Sequence, residues 1–262
     1  ILLIILSTRG LETKRFNSII SNQIQGSNSD IEVNFKKILF KIDIKQFDLF
    51  LLTRSPNIKL YKTYVPIKEV RAYIDFEIFS KNKIKIDKIY LDISEISLKE
   101  LKKLLLKTKP SNFKSIIFNN LTNGSLSSKI DLQFDEDLML IDYQLNGYVK
   151  NLSGFFQKID FNKANFIYSI GNKKGKISSL NGTVNQIPVN SGEISFIKDK
   201  IMAINSTIKS NLELDQKKLK QIFPSIKFLS SKNRIFLRGN ITSLLNLEFD
   251  NSFKVKKFDL NF

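Results

Sequence analysis

Apolar and polar residues alternate with a period of two through most of this chain, and that alternation limits its fold more than any other feature. Ile38, Phe40, Ile42 and Ile44 alternate with polar neighbours, as do Val70, Ala72, Ile74, Phe76 and Ile78. The pattern recurs at Ile89, Leu91 and Ile93, at Ile130, Leu132 and Phe134, at Ile141, Tyr143 and Leu145, and at Ala164, Phe166, Tyr168 and Ile170. Further alternating runs cover 31–35, 47–51, 177–184, 192–197 and 201–208, with two or three more to the end. Side chains along a strand point to opposite faces, so each run encodes a strand with one apolar and one polar face. Ten or more such strands cannot lie in one flat sheet; the sheet curls or splits. The expected class is mainly β with a few short helices: a long curved antiparallel sheet forming an apolar groove (a half-pipe), or alternatively a closed β-sandwich.

Helical periodicity interrupts the strands at a few places. Phe16, Ile19, Ile20 and Ile24 predict a short helix near 11–25, stopped by Gly26. SLKELKKLLLKTKP (97–110) is the clearest helix, with Ser97 and Glu100 at capping-box spacing, a Leu98, Leu101, Leu104 and Leu105 stripe, and Pro110 as stop. A second amphipathic piece carries Phe113, Ile116, Ile117 and Leu121 and closes at Gly124, so helix is expected within 97–121. Asp215 caps a third helix, 215–224, with Leu219, Ile222 and Phe223 inward. RSPN (54–57), DED (135–137), GNKKG (171–175) and KDK (198–200) read as turns.

Composition narrows the chemistry. With 42% apolar residues and 22 Phe the chain can build a core. It has no Cys and no His, which leaves no thiol nucleophile, no thiolate metal site and no ready general base near neutral pH. No phosphate-binding loop, dinucleotide fingerprint, nucleophile elbow or zinc-protease motif occurs. The one acidic cluster, Asp135, Glu136, Asp137 and Asp142, has Leu140 where a calcium loop needs Gly, and reads as a hairpin tip. No catalytic residue, metal or cofactor is expected, and the chain does not read as an enzyme.

The net charge of +17 raises nucleic acid as a partner, but only six of the 42 basic residues are Arg, and the lysines are spread from end to end. Base and phosphate recognition favour the Arg fork, so solvated Lys faces are the better reading; attraction to anionic membrane surfaces is compatible with the charge.

The apolar run Ile1–Leu6, followed at once by GLETKRFNSIISNQI, resembles the start of AsmA-like proteins of bacterial envelopes. KILFKIDIKQFDLFLLTRSPNIKLYKTYVPIKEVRAYIDF (37–76), KIKIDKIYLDISEISLKELKKLLL (83–106) and NGYVKNLSGFFQKIDFNKANFIYSI (146–170) are similar to that family as well. The resemblance implies residues 1–9 as the truncated end of an N-terminal transmembrane helix, with a first buried strand as the alternative. It further implies residues 10–262 as a β-groove region truncated at its C-terminus. The implied location is the inner membrane, single-pass, with the bulk of the chain in the periplasm of a Gram-negative-type bacterium. The implied role is phospholipid transport between the membranes and outer-membrane biogenesis. The expected partners are a phospholipid or other acyl lipid, the inner membrane and outer-membrane proteins. Candidate lipid-lining residues are Phe40, Ile42, Phe76, Ile78, Leu132, Phe134, Tyr143, Leu145, Phe166, Tyr168 and Phe196. The alternative function is a non-catalytic scaffold that assists outer-membrane protein assembly through exposed strand edges.

Overall fold

The structure, a computed structural model, describes residues 1–12, 31–35, 37–44, 48–74, 86–106, 108–137, 139–156, 159–199, 201–222, 235–250 and 254–262. It opens with helix α1 (Leu2–Thr8) and the short strand β1 (Leu11–Glu12). Strands β2 (Ile31–Asn34), β3 (Leu39–Asp43), β4 (Asp48–Arg54), β5 (Asn57–Leu60), β6 (Thr63–Val65), β7 (Ile67–Ile74) and β8 (Ile86–Ser97) follow. Helices α2 (Leu98–Leu105) and α3 (Asn112–Asn120) then lead into long strands: β9 (Leu121–Phe134), β10 (Leu140–Phe156), β11 (Ile159–Gly171), β12 (Lys174–Val184), β13 (Ile187–Lys198) and β14 (Met202–Asp215). Helix α4 (Gln216–Ile222), β15 (Phe236–Phe249) and β16 (Val255–Asn261) complete the chain.

Thirteen strands form one antiparallel sheet in the order β1-β3-β4-β7-β8-β9-β10-β11-β12-β13-β14-β15-β16; β2, β5 and β6 form a separate small sheet. Among the described residues β1 and β16 are the end strands of the long sheet, which is not closed into a barrel. From β7 onward neighbours in sequence are neighbours in space; short connections join β9 to β14, whereas α2 and α3 lie between β8 and β9. The chain divides into two compact units, one of residues 1–117 and 125–147, the other of 118–124 and 148–262.

In the first unit the register gathers the alternating apolar residues into cross-strand rows. Leu11, Phe40, Leu51, Ala72, Ile89 and Leu132 are successive partners across six strands. Ile42, Leu49, Ile74 and Ile86 form the next row. The core lies here, in Ile38, Leu49, Leu51 and Ile74 with Phe35, Phe40, Ala72 and Ile86 packed against it. Beside it, β8 runs straight into α2. Ser97 caps that helix by accepting from the Glu100 N–H while the Glu100 carboxylate accepts from the Ser97 N–H, the reciprocal bonds expected from the spacing. Leu98 and Leu104 are its buried side chains.

The second unit has the same grammar with longer strands. Ile170, Gly175, Phe196, Ile204, Leu247 and Phe258 are successive partners from β11 to β16. One step along lie Tyr168, Ile177, Ile194, Ser206, Leu245 and Leu260. The opposite face carries Lys176, Glu193, Asn205, Asn246 and Asp259. Helix α4 begins where Asp215 Oδ1 accepts from the Lys218 N–H, the anticipated cap. It seats Leu219 on Leu212 and Leu214, with Ile187, Ile235 and Ile241 around them.

Three readings of the sequence need correction. Residues 2–8 are helical, which excludes a first buried strand at the start. Leu11 and Glu12 do not open a helix; they pair with Phe40 and Leu39, because Gly10, at φ +75°, turns the chain out of α1 directly into a strand. Gly124 does not close α3. The helix ends at Asn120, and Gly124 lies inside β9 at φ +141°, where a Cβ would crowd Leu152. The remainder of the 11–25 helix, Phe47, Phe76, Ile78, Ile84 and Phe223 lie outside the described residues.

Candidate functional site

The candidate site is an apolar sheet face, and its residues are placed by strand register. In the first unit Phe40 sits between Leu11 and Leu51, Ile42 opposite Leu49, and Leu132 opposite Ile89. Phe134, two residues beyond Leu132 in β9, takes the same face. Ile42 is 7% exposed and belongs to the tight end of this face. In β10, Tyr143 and Leu145 share a face with Ile141 and Val149, while Asp142, Gln144 and Asn146 take the other.

In the second unit Phe166 and Tyr168 share the apolar face of β11, and Phe196 lies two strands away between Gly175 and Ile204. Tyr168 stands opposite Ile177, one row from Phe196. Phe196 also covers Gly175, where a Cβ would collide with the Phe196 ring. The face is therefore occupied across the sheet by side chains that leave no room for more at this point.

Coverage of this face varies along it. Near α4, Leu212, Leu214 and Leu219 are 7%, 2% and 6% exposed. Toward β16 it opens, with Leu260 at 41% and Phe258 at 60%. Between these limits Phe166, Tyr168, Ile194, Phe196, Ile204 and Leu247 are only half-buried. Among the described residues of this unit, α4 is the helix packed on that face.

The other face is mainly polar, with Ile167, Ile197 and Leu244 exposed among its polar side chains. On it Lys176 Nζ lies 2.9 Å from Glu193 Oε2, and Arg238 Nε 3.1 Å from Glu213 Oε1. In the first unit the polar face is tied more tightly. Arg71 donates to Glu69 at 2.6 Å and lies over the Tyr90 ring at 5.1 Å; Lys88 lies over Tyr73 at 5.5 Å and 3.2 Å from Asp131. Burial, reinforced by Asp92, pushes the Tyr90 hydroxyl pKa up. Burial opposes the Arg71 charge, but its hydrogen bond to Glu69, the Glu69 charge and a hydrogen bond to Tyr73 hold its pKa above the usual value. These cations are partnered by carboxylates and rings, which makes the arrangement a solvated structural face. No group of three or more metal-ligating side chains occurs among the described residues. At the 135–137 tip, Asp135 Oδ1 accepts from the Asp137 and Met139 N–H groups, so that carboxylate is used in closing the turn.

Helix α1 adds a second apolar surface. Leu3 and Ile4 are 59% and 65% exposed. The Ser7 and Thr8 hydroxyls donate back to the Ile4 carbonyl, and Lys41 Nζ donates to the Thr8 carbonyl at 2.8 Å. Its polar groups are thus satisfied internally while the outward side chains stay apolar. No described helix is long and apolar enough to cross a membrane.

The named lining residues omit several on the same rows: Ile89, Ile194, Ile204, Leu245, Leu247 and Phe258. The signal for the last three was present in LLNLEF (244–249) and KKFDLNF (256–262), both at period two. No protein-family model, curated protein or solved structure matches the chain.

Proposed function

We propose that this chain is a non-enzymatic lipid-shielding module in which the apolar sheet face holds acyl chains away from water. The observation that carries this reading is the half-covered apolar face of the second unit. There β11 to β16 align apolar side chains in register while the reverse face is mainly polar. Exposed contiguous apolar surface is costly to leave in water and marks a place where something apolar binds. An acyl chain of about sixteen carbons gains on the order of 10 kcal/mol by leaving water, at about 0.8 kcal/mol per methylene. Side chains that touch only by dispersion and apolar burial suit such a ligand and select it by length rather than by directed polar contacts.

The resemblance to AsmA-like proteins gives the setting: phospholipid transport between inner and outer membranes and outer-membrane biogenesis, with the chain in the periplasm. In this reading α1 contacts the inner membrane through Leu3 and Ile4, and the +17 charge favours anionic lipid surfaces. A second reading draws on β16, the last strand in the sheet order, with exposed Phe258 and Leu260. An edge of that kind can accept another strand, as an outer-membrane assembly scaffold would require.

Binding of a fluorescent polyene fatty acid separates the two. The lipid reading expects saturable binding that is lost in Phe196→Asp at unchanged circular dichroism. A chain that binds no fatty acid, or a variant that binds as well as the parent, contradicts it.

A further inference from the structure

Three neighbouring strands of the second unit each hold one residue other than Gly in the left-handed region: Asn151 in β10 at φ +50°, Lys163 in β11 at +51° and Ser179 in β12 at +55°. The β11–β12 register shifts between Asn162 and Asn165, and again between Asn165 and Ile167. The β12–β13 register shifts between Ile177 and Leu180. These are β-bulges in which two residues of one strand oppose one of the next.

They are tied together by two asparagines. Asn165 Oδ1 accepts from the Asn151 N–H at 2.9 Å, and Asn165 Nδ2 donates to the Lys163 carbonyl at 2.9 Å and to Asn181 Oδ1 at 3.0 Å. Asn181 Nδ2 in turn donates to the Ser179 carbonyl at 3.2 Å. Each asparagine therefore braces the strained residue two positions before it, and the pair links three strands. Ser153 Oγ accepts from the Lys163 N–H at 3.1 Å on the same side.

Asn162 opposes Thr183 and Asn165 opposes Asn181 on the polar face, so Lys163 and Ala164 share Gly182 as their partner; Ile167 opposes Ser178, so Ser179 and Leu180 share Phe166. The strands are crowded at the same level. A Cβ on Gly182 would lie 2.9 Å from the Ala164 Cα, and one on Gly154 would collide with the Asn120 carbonyl and lie 2.9 Å from the Phe161 ring. In the regular β14–β15 pair, which runs from Met202 to Asp215 without a shift, a Cβ on Gly239 would meet nothing within 4 Å.

We infer that Asn165 and Asn181 are positioning residues that hold a crease across β10, β11 and β12, and that this crease sets the course of the apolar face against which an acyl chain lies. The crease is a property of the strands themselves; its consequence for ligand rests on the lipid-shielding reading above. Neither asparagine touches the ligand. They act by keeping Asn151, Lys163 and Ser179 in a conformation that side chains other than Gly rarely adopt.

The test uses the full chain, which has no Cys, so a pair introduced at Lys173 and Gln186, in the turns at the two ends of β12, is the only labelling site. Spin-label distances across that pair are compared for the parent, for Asn165→Ala with Asn181→Ala, and for a control pair, Asn205→Ala with Asn246→Ala, on the unshifted strands. The crease predicts a distance longer by roughly one strand residue, about 3 Å, in the Asn165/Asn181 variant and none in the control. It also predicts at least a tenfold weaker affinity for the fluorescent fatty acid. Adding Lys163→Gly and Ser179→Gly, which adopt the left-handed conformation unaided, restores both. If the Asn165/Asn181 variant fails to fold, removing Asn165 alone is read in the same way. An unchanged distance overturns the crease, and a longer distance with full affinity overturns its role in binding. A parent that binds no fatty acid defeats the lipid reading, and the distances alone then decide the crease.

Discussion

In β4 every residue from Leu49 to Thr53 is buried, whichever face it takes, whereas in β14 burial follows the alternation: Ser206, Leu212 and Leu214 are buried while Asn205, Lys209, Asn211 and Glu213 are exposed. The two strands use the same alphabet differently. DLFLLTR places apolar side chains on both faces, and Phe50 stacks against Tyr73 with ring centroids 5.4 Å apart on the side away from Leu49. A strand of that composition needs cover on both sides and becomes core. INSTIKSNLEL (204–214) needs cover on one side only, and on that side Ser206, Leu212 and Leu214 are buried while Ile204 and Ile208 are half-buried. The sheet region that folds the molecule and the region that has a face to offer can thus be told apart by whether the polar half of the alternation is kept.

That comparison can be broken by substitution, beginning where the effect is greatest. Leu49→Ala at the doubly covered strand should lower stability by about 2–5 kcal/mol, the range for a large-to-small change in a packed core, as read by urea unfolding. Phe166→Asp on the half-covered face should leave the unfolding midpoint close to the parent's while weakening fatty-acid affinity at least tenfold; a variant that instead unfolds would make Phe166 core like Leu49. Gly182→Ala should cost roughly 1–3 kcal/mol, since a Cβ there meets the Ala164 backbone at φ +148°. Gly239→Ala, in open space, should change stability by no more than about 0.5 kcal/mol, the usual range for a surface position.

The smallest effect sharpens the account of α2. The hydrogen bond from the Ser97 hydroxyl, and then that from the Ser97 N–H, hold the Glu100 carboxyl below its usual pKa. A depressed folded-state pKa means that the contribution is present above the unfolded value and fades as pH falls through the folded one. Stability should therefore drop slightly on acidification below the usual carboxylate range in the parent. That component should be missing in Glu100→Gln, measured by thermal unfolding as a function of pH.

Much of this arrangement was legible in the residues. Strict alternation at Ile130, Leu132 and Phe134 or at Phe166 and Tyr168 fixes which side chains share a face, because period two admits only one assignment. The Ser97–Glu100 box and the Asp215 cap were equally readable, since each is a local bond between residues three apart. The bulges were not. Lys163 and Ser179 are ordinary residues for a strand; each carbonyl is met by the asparagine two residues on, and those two asparagines bond to each other across the strands. That information is spread over 151–181 and exists only once the strands pair. The first two residues of the predicted 11–25 helix were misread for a related reason: the pairing of Leu11 with Phe40 is a contact at long range that no window of sequence contains. Gly124 looked like a helix stop because glycine serves both as a stop and as the one residue that fits against Leu152 within a strand.

Native mass spectrometry of the purified full chain, with extraction and identification of whatever accompanies it, tests the central claim most directly. The account predicts phospholipid bound at close to one or more molecules per chain, released when Phe166 and Phe196 are both changed to Asp. A monodisperse chain free of lipid, which also takes up none from phospholipid vesicles, would contradict it and leave the apolar faces as surfaces for protein strands.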